Sequence, residues 1–169
     1  MKNRLKAFFD EASVETPSKV ITSNTGMPWI PLAYCKKSEI TLGIGQDGSW
    51  LYESSANTQI IGDSKSFMCV MVFLEMSYVE IKNSIVSHIK GVDQTTDIRD
   101  VFPFSEIIKF VLEYGISDYW FDLALNWFDE LDAVNKIALK PALEKNANSR
   151  SLHQRTRHRM LRELKNLRE

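Results

Sequence analysis

The sequence predicts an α+β fold, in which a small antiparallel sheet from the first third of the chain packs with a mainly helical second half. Between residues 28 and 61, β-branched and aromatic residues cluster between turn formers, as in short strands. After residue 62 the apolar residues recur at helical spacing instead. We therefore expect one domain over residues 1–169, with a β-rich part at about 19–62 and a helical part at about 63–169.

Length and composition are those of an ordinary globular protein. A chain of 169 residues is long enough for one domain with a core, and 44% hydrophobic and 25% charged residues are typical of soluble proteins. The longest apolar run, residues 67–74, is too short to span a bilayer, and we expect no secretory signal, because the stretch MKNRLKAFFDEAS has no apolar core of sufficient length. Cys35 and Cys69 are isolated thiols, which favours a reduced cytoplasmic protein but leaves a bridge between them open.

The β-rich part begins after a short helix predicted over residues 3–12. Three strand candidates follow, with the sequences WIPLAYC, EITLGI and SWLYESS, and QIIG is a fourth. Pro28 and Pro31 make the first of them an edge strand or an irregular one. Because Asp47-Gly48 can adopt the positive φ angles of a tight turn, the second and third strands are expected to pair as an antiparallel hairpin.

The helical part begins at Asp63-Ser64, which is typical of a helix N-cap. The long apolar run behind it predicts a helix that breaks near Ser77 and ends at Gly91. Residues 67–76 are apolar enough to form a strand instead, and periodicity does not decide between the two.

Further helices are predicted up to the end of the chain. One runs from residue 105 to Tyr114, with Gly115 as its left-handed terminator and Ser117 as the next N-cap. The helix over residues 117–132 continues after 133 until Pro141 perturbs it. A polar linker over residues 145–151 then leads to a basic C-terminal helix.

The motifs of cofactor and metal chemistry have simpler interpretations here. Residues 43–48 match the letters GxGxxG, but a strand follows them where the dinucleotide fingerprint requires a helix, so we interpret them as a hairpin. His153 and His158 lie about 140° apart on a helix and do not form a metal-binding pair. No nucleophile signature is present in the sequence. We expect no enzymatic activity, no cofactor and no bound metal.

The stretch Ser117–Asp132 separates its apolar and acidic residues more clearly than the rest of the chain. Helical spacing places its aromatic and aliphatic residues on one arc, which must pack on a core. The opposite side carries four aspartates, called here the acidic stripe: Asp118, Asp122, Asp129 and Asp132. The stripe is either a solvated helix face or the binding surface for a basic partner, and we name these four residues as the predicted partner-binding site.

The near-neutral net charge of −1 conceals a strong asymmetry. From Lys145 onward, eight Lys and Arg residues face two acids, whereas residues 93–132 hold ten acids against two bases. The four arginines of the tail between 155 and 162 do not all share one narrow helix face, and no aromatic is interleaved with them for stacking on bases. We interpret the tail chiefly as a helix that closes the fold and neutralises the acidic part, with nucleic-acid binding as the less favoured possibility.

Two features of the chain resemble small bacterial immunity proteins, which neutralise contact-dependent or polymorphic toxins. One is a short helix and strands ending in DGSWLYES, followed by the acid-rich helical stretch YWFDLALNWFDELD. The other is the closing segment SLHQRTRHRMLREL. This resemblance implies inhibition by direct binding in the cytoplasm, without a cofactor or turnover.

The expected function is thus that of a non-catalytic cytoplasmic binding protein, an immunity protein with a cognate protein toxin as partner. A nuclease toxin suits an acidic surface, because such enzymes are basic where they contact phosphates. The alternative is a nucleic-acid-binding regulator that uses the basic C-terminal helix.

Overall fold

The computed structural model describes residues 2–55, 57–88, 98, 101–115 and 117–167. The chain forms two compact units, Met1–Pro103 and Phe104–Glu169. We call the first the sheet unit, because it holds all five described strands, and the second the helical unit. The predicted α+β class is confirmed. The sheet ends near residue 62 as predicted, but the compact unit that contains it continues to Pro103, so the helices that directly follow the sheet belong with it.

The sheet unit begins with a helix, continues with the sheet and ends with further helices. Its elements are α1 (Lys2–Glu15), β1 (Ile21–Thr22), β2 (Pro28–Cys35), β3 (Ile40–Gly45), β4 (Trp50–Ser54), β5 (Asn57–Ile60), α2 (Ser64–Val70), a 3-10 helix (Met71–Glu75) and α3 (Tyr78–His88). A short 3-10 turn also lies between α1 and β1. The strands lie side by side in chain order, and each pairs antiparallel with the next.

The central hairpin forms as predicted. Ile44 of β3 pairs with Trp50 of β4, and the turn between them places Gly48 at φ +74°. A β-carbon at Gly48 would also overlap the carbonyl oxygen of Lys2 in α1. Position 48 therefore requires glycine both for its positive φ angle and for the close approach of α1. The residues that spell GxGxxG therefore serve the hairpin and the seating of α1.

The strand that contains two prolines is irregular but does not lie at the sheet edge. β2 lies between β1 and β3, and its pairing with β3 shifts between Pro31 and Ala33. Proline lacks the N–H that a regular ladder needs, which accounts for an irregularity at this point. Of the two predicted alternatives, the irregular strand is therefore the one observed. β1 pairs with only the first two residues of β2, Pro28 and Trp29, so the ladder on that side needs no N–H from Pro31.

The sheet curls, so that the turn after β1 reaches the far strand. The side-chain oxygen of Asn24 accepts a hydrogen bond from the backbone N–H of Thr58 in β5 at 3.1 Å, and its Nδ2 donates to Asn57 at 3.2 Å. The side chain of Asn24 thus stands in for a strand partner at this edge, which otherwise would offer unpaired backbone groups.

Both faces of the curled sheet are covered. Neighbouring residues of a strand point to opposite faces, and Trp29 and Ile30 are each only 1% exposed. Helix α1 packs against β2 and β3, and α3 packs against β2, where Ser84 Oγ donates to the carbonyl of Leu32 at 3.2 Å. The helices after the sheet therefore complete the core of this unit.

The long run after Asp63 is helical and breaks where the sequence predicts. Asp63 caps α2 by accepting from Ser66 N at 2.8 Å, and the strand alternative for Phe67–Met76 is excluded, because these residues form α2 and the 3-10 helix. Ser77 N then donates to Glu80 Oε2 at 2.6 Å and Glu80 N to Ser77 Oγ at 3.2 Å, a capping box that starts a new helix. The backbone and side-chain hydrogen bonds from Ser77 lower the pKa of Glu80. The predicted end at Gly91 lies outside the described residues.

The helical unit consists of four described helices, α4 (Phe104–Tyr114), α5 (Asp118–Asp129), α6 (Ala133–Ala147) and α7 (Gln154–Asn166). Gly115, at φ +59°, ends α4 as predicted, and Ser117 takes the N-cap position of α5, although its side chain makes no capping hydrogen bond. Pro141 does not end the helix, because α6 continues through it to Ala147, although the proline has no N–H for the helical hydrogen bond at this position. Pro141 lies on the exposed side of α6, while Leu143 and Asn146 beyond it are buried and hold the last turns in place.

Candidate functional site

Helix α5, the predicted organising element, lies between α4 and α7 in the helical unit. Its apolar residues Phe121, Ala124, Leu125, Trp127 and Phe128 are buried. Phe104, at the start of α4, packs edge-on against Trp127, near the end of α5, with ring centroids 4.9 Å apart. The two helices therefore run antiparallel, as their short connection predicts.

The first half of the acidic stripe is covered by the start of α7. Asp118 Oδ1 accepts a hydrogen bond from the backbone N–H of His153 at 2.9 Å, and Asp122 Oδ1 accepts one from Thr156 Oγ1 at 3.5 Å. Because the first residues of α7 lie beside the first residues of α5, the two helices run parallel. Asp118 and Asp122 thus accept hydrogen bonds from another helix of the same chain.

Arg159 of α7 connects the middle of α5 to its end. Its Nη2 donates to Asp129 Oδ2 at 3.0 Å, and its Nη1 donates to the backbone carbonyl of Asp122 at 3.2 Å. The side chain of Arg159 is 21% exposed and that of Asp129 is 46% exposed, so the ion pair sits at the surface with its cation partly covered. For this arginine, the expected neutralisation of the acidic part by the tail is present.

Asp132, the last residue of the stripe, lies outside α5 and caps α6. The prediction that one helix continues from residue 117 past residue 133 was wrong, because Asp132 starts a new helix. Its Oδ1 accepts from the backbone N–H of Asn135 at 2.9 Å, and its Oδ2 accepts from Asn135 Nδ2 at 2.7 Å. The four predicted partner-binding residues are therefore divided between two places. Asp118 and Asp122 are covered by α7, whereas Asp129 and Asp132, together with the exposed Glu130, form what we call the acidic corner between α5 and α6.

The outer side of α6 is apolar, a feature that the sequence reasoning missed. Its residues follow the i, i+3, i+4, i+7 spacing of a helix face that is normally buried, and all of them are exposed. We call this set the α6 outer face: Ala133, Val134, Ile137, Ala138 and Pro141. Val134 is 77% exposed and Ile137 58% exposed. The signal was present in the sequence, because a second apolar set, Leu139 and Leu143, lies on the opposite side of the same helix and is the one that is buried.

A groove of about 950 Å³ lies between α5 and α7. We call it the arginine groove, and it is lined by Asp122, Asn126, Gln154, Arg155, His158, Arg159 and Arg162. Three of the four tail arginines share this face because positions 155, 159 and 162 are spaced i, i+4, i+7. The fourth, Arg157, falls about 200° away around the helix. The expectation that the four arginines do not all share one face is thus correct. It overlooked that three of them, Arg155, Arg159 and Arg162, do share one.

A second cavity, of about 870 Å³, lies in the sheet unit beside the curled edge of the sheet. Its lining includes Met27, Leu51 and Ile60 among mostly uncharged polar residues. Its one carboxylate, Asp47, accepts hydrogen bonds from Ser49 N at 2.9 Å and Ser49 Oγ at 2.8 Å. That carboxylate therefore holds the hairpin turn in shape.

The metal-binding and thiol side chains of the chain form no site of their own in the described residues. Within the described ranges, no three or more His, Cys, Asp or Glu side chains are grouped so that they could hold a metal ion. Cys35 and Cys69 are both free thiols, so the possible bridge between them is not formed. Burial, helped by a hydrogen bond to Cys69, raises the pKa of Tyr52 to about 12.

No described helix is both long enough and apolar enough to cross a membrane. A scan against protein-family models finds no matching family, and searches of curated proteins and of solved structures find no match either. The surfaces of the helical unit carry the features that bear on function.

Proposed function

We propose that this protein is a non-catalytic binding protein that neutralises a cognate toxin by direct contact, as an immunity protein. The observation that carries the proposal is the α6 outer face. A helix on the surface of a globular protein normally turns polar residues to water, and exposed apolar patches mark sites of interaction. Here five apolar residues follow one another along two turns of an exposed helix.

The charges beside this face indicate the kind of partner. The three carboxylates of the acidic corner directly precede the first turn of α6, so the α6 outer face begins beside them. Protein interfaces commonly combine an apolar centre with a polar rim, and complementary rim charges speed association. The partner that fits is a protein with an apolar contact surface flanked by basic side chains. A toxin that grips phosphates with basic residues has the required charge.

The resemblance to immunity proteins supports the same class of function and adds a cytoplasmic location. Of the predicted partner-binding residues, Asp129 and Asp132 are placed to serve as rim charges. Asp118 and Asp122 lie in the first turns of α5, beside α7 and away from the start of α6, so in this proposal they contribute less.

The test is capture of the partner by the tagged full-length protein from its native cells, followed by measurement of affinity with the purified partner. The double variant Val134→Ser, Ile137→Ser should weaken binding at least tenfold, because it removes the apolar anchors. The matched control is Val14→Ser in α1, since Val14 is 78% exposed and Val134 is 77% exposed. This control should bind as the unaltered chain does.

Two outcomes would contradict the proposal. One is a captured partner whose affinity is the same for the double variant and the control, which would mean that the α6 outer face is not the contact. The other is a captured toxin that keeps full activity when the complex has formed. An enzymatic turnover abolished by one conservative substitution would overturn the non-catalytic part.

A further inference from the structure

The arginine groove combines cations from one helix face with amides from two helices. On an α-helix with a rise of 1.5 Å per residue, Arg155, Arg159 and Arg162 follow one another at about 6 Å and about 4.5 Å along the axis. Gln154 and Asn126 add side-chain amides, which can donate hydrogen bonds. The groove therefore presents hydrogen-bond donors along its length.

The three arginines differ in how far they are already engaged. Arg159 is held by Asp129 and by the carbonyl of Asp122, so it forms a fixed wall of the groove. Arg162 donates through Nε to Glu163 at 3.2 Å, and in the described part of the chain its two terminal nitrogens have no acceptor of their own. Arg155 is exposed. Two guanidinium groups are thus available to a ligand at either side of a fixed third.

The composition of the groove favours a small or extended anion over a folded protein surface. Its seven lining residues include three arginines and one carboxylate, and none of them is an aliphatic residue or a Phe, Tyr or Trp. Protein partners are usually anchored by apolar or aromatic side chains, which have no receiving surface here. Without a Phe, Tyr or Trp, the groove also lacks the large rings on which bases usually stack. Phosphate groups, which accept paired hydrogen bonds from the planar guanidinium fork, fit this chemistry best.

We propose that the arginine groove between α5 and α7 binds the phosphates of a polyanion, through Arg155 and Arg162 with Arg159 as their fixed support. The ligand is either a compact polyphosphate or a single nucleic-acid strand held by its backbone without reading of bases. This site is independent of toxin binding through the α6 outer face.

Binding can be measured with the full-length protein against inorganic tripolyphosphate and a labelled mixed-sequence single-stranded oligonucleotide, with polyglutamate as a third probe. The variant Arg155→Ala, Arg162→Ala should weaken phosphate binding at least tenfold. The matched control Arg150→Ala, Lys165→Ala removes the same charge from exposed tail residues outside the groove lining, and should lose less than threefold. With the oligonucleotide, the slope of log affinity against log salt should fall by about 1.4 in the groove variant, since each phosphate contact to a single strand contributes about 0.7.

Comparison of the probes identifies the source of the phosphates. If tripolyphosphate and the oligonucleotide bind with equal affinity per phosphate, the ligand is a polyphosphate. If only the oligonucleotide binds, the ligand is a single nucleic-acid strand. Equal losses in the two variants would overturn the proposal, because only the general charge of the tail would matter. No binding at low salt, or tighter binding of polyglutamate, would overturn it as well.

Two controls keep the result independent of folding and of the proposed function. Both arginines are exposed, so the groove variant should unfold at the same denaturant concentration as the unaltered chain. The α6 variant Val134→Ser, Ile137→Ser should bind the oligonucleotide normally. Loss of toxin binding without loss of phosphate binding, or the reverse, then shows which proposal has failed.

Discussion

The helical unit presents two surfaces of opposite character. The α6 outer face is an exposed apolar strip from a single helix, whereas the arginine groove is a polar, cationic cleft between two helices. The α6 outer face contains no charged residue, and the carboxylates of the acidic corner lie beside it. The arginine groove has no apolar side chain at all. The contrast indicates two kinds of partner, because apolar anchors suit a protein surface and ordered guanidinium groups suit phosphates.

The largest effect is expected from comparing the two sides of α6. Leu143 is fully buried, so Leu143→Ala should lower the free energy of unfolding by about 2–5 kcal/mol. Val134→Ser on the outer face should change it by no more than about 0.5 kcal/mol. Denaturant unfolding followed by circular dichroism measures both. If Val134→Ser proves as costly as Leu143→Ala, the outer face belongs to the core and is not a docking surface.

A smaller effect should separate the wall of the arginine groove from its ligand-contacting residues. Arg159→Met removes the hydrogen bonds to Asp129 and to the carbonyl of Asp122, and we expect a loss of about 1 kcal/mol in unfolding free energy, since the pair is partly exposed. Arg155→Met should cost less than about 0.5 kcal/mol. The same denaturation experiment compares them. Equal stability of the two variants would mean that Arg159 does not support the groove.

The smallest effect on stability is expected from substitutions in the acidic stripe. For these variants the quantity to measure is the rate of association with the toxin. Exchange of Asp129 and Asp132 for Asn should slow association with the toxin a few-fold, and the defect should shrink as salt rises, because rim charges act by steering. Asparagine is as good an N-cap as aspartate, so α6 should stay capped, and the loss of the Arg159 pair should cost less than about 1 kcal/mol.

The matched pair for this experiment is the covered half of the stripe. Exchange of Asp118 and Asp122 for Asn should leave the association rate nearly unchanged, because these residues lie in the first turns of α5, beside α7 and away from the end of α5 where α6 begins. Stopped-flow mixing at two salt concentrations measures both variants. If neither variant changes the association rate, the acidic stripe is not part of the interface, and the α6 outer face remains as the proposed contact.

Local signals in the sequence predicted the elements that depend on nearby residues. The hairpin at Asp47-Gly48, the cap at Asp63 and the terminator at Gly115 each rest on a backbone angle or a hydrogen bond within a few residues. The break after Met76 has the same origin, since Ser77 and Glu80 cap each other. Such features are fixed by short-range geometry, so a single sequence can reveal them.

At two prolines, a distant element decided what a local signal left open. Proline ordinarily ends a helix, but α6 continues through Pro141, because residues beyond it are buried within the helical unit. In β2 the prolines are tolerated inside the sheet, because the neighbouring strand β1 is only two residues long. Neither fact is contained in the segments that hold the prolines.

The acidic stripe shows most clearly what the sequence by itself determined and what the tertiary structure decided. Helical periodicity alone placed four aspartates on one side of a predicted helix over residues 117–132, and composition alone showed a basic tail that could neutralise them. Only the parallel packing of α7 against α5 decided that Arg159 reaches Asp129, that Asp118 and Asp122 are covered, and that three arginines line one groove. Periodicity fixes which residues share a face of a helix, but the element that covers that face is chosen by long-range packing of apolar surfaces, which no local pattern records.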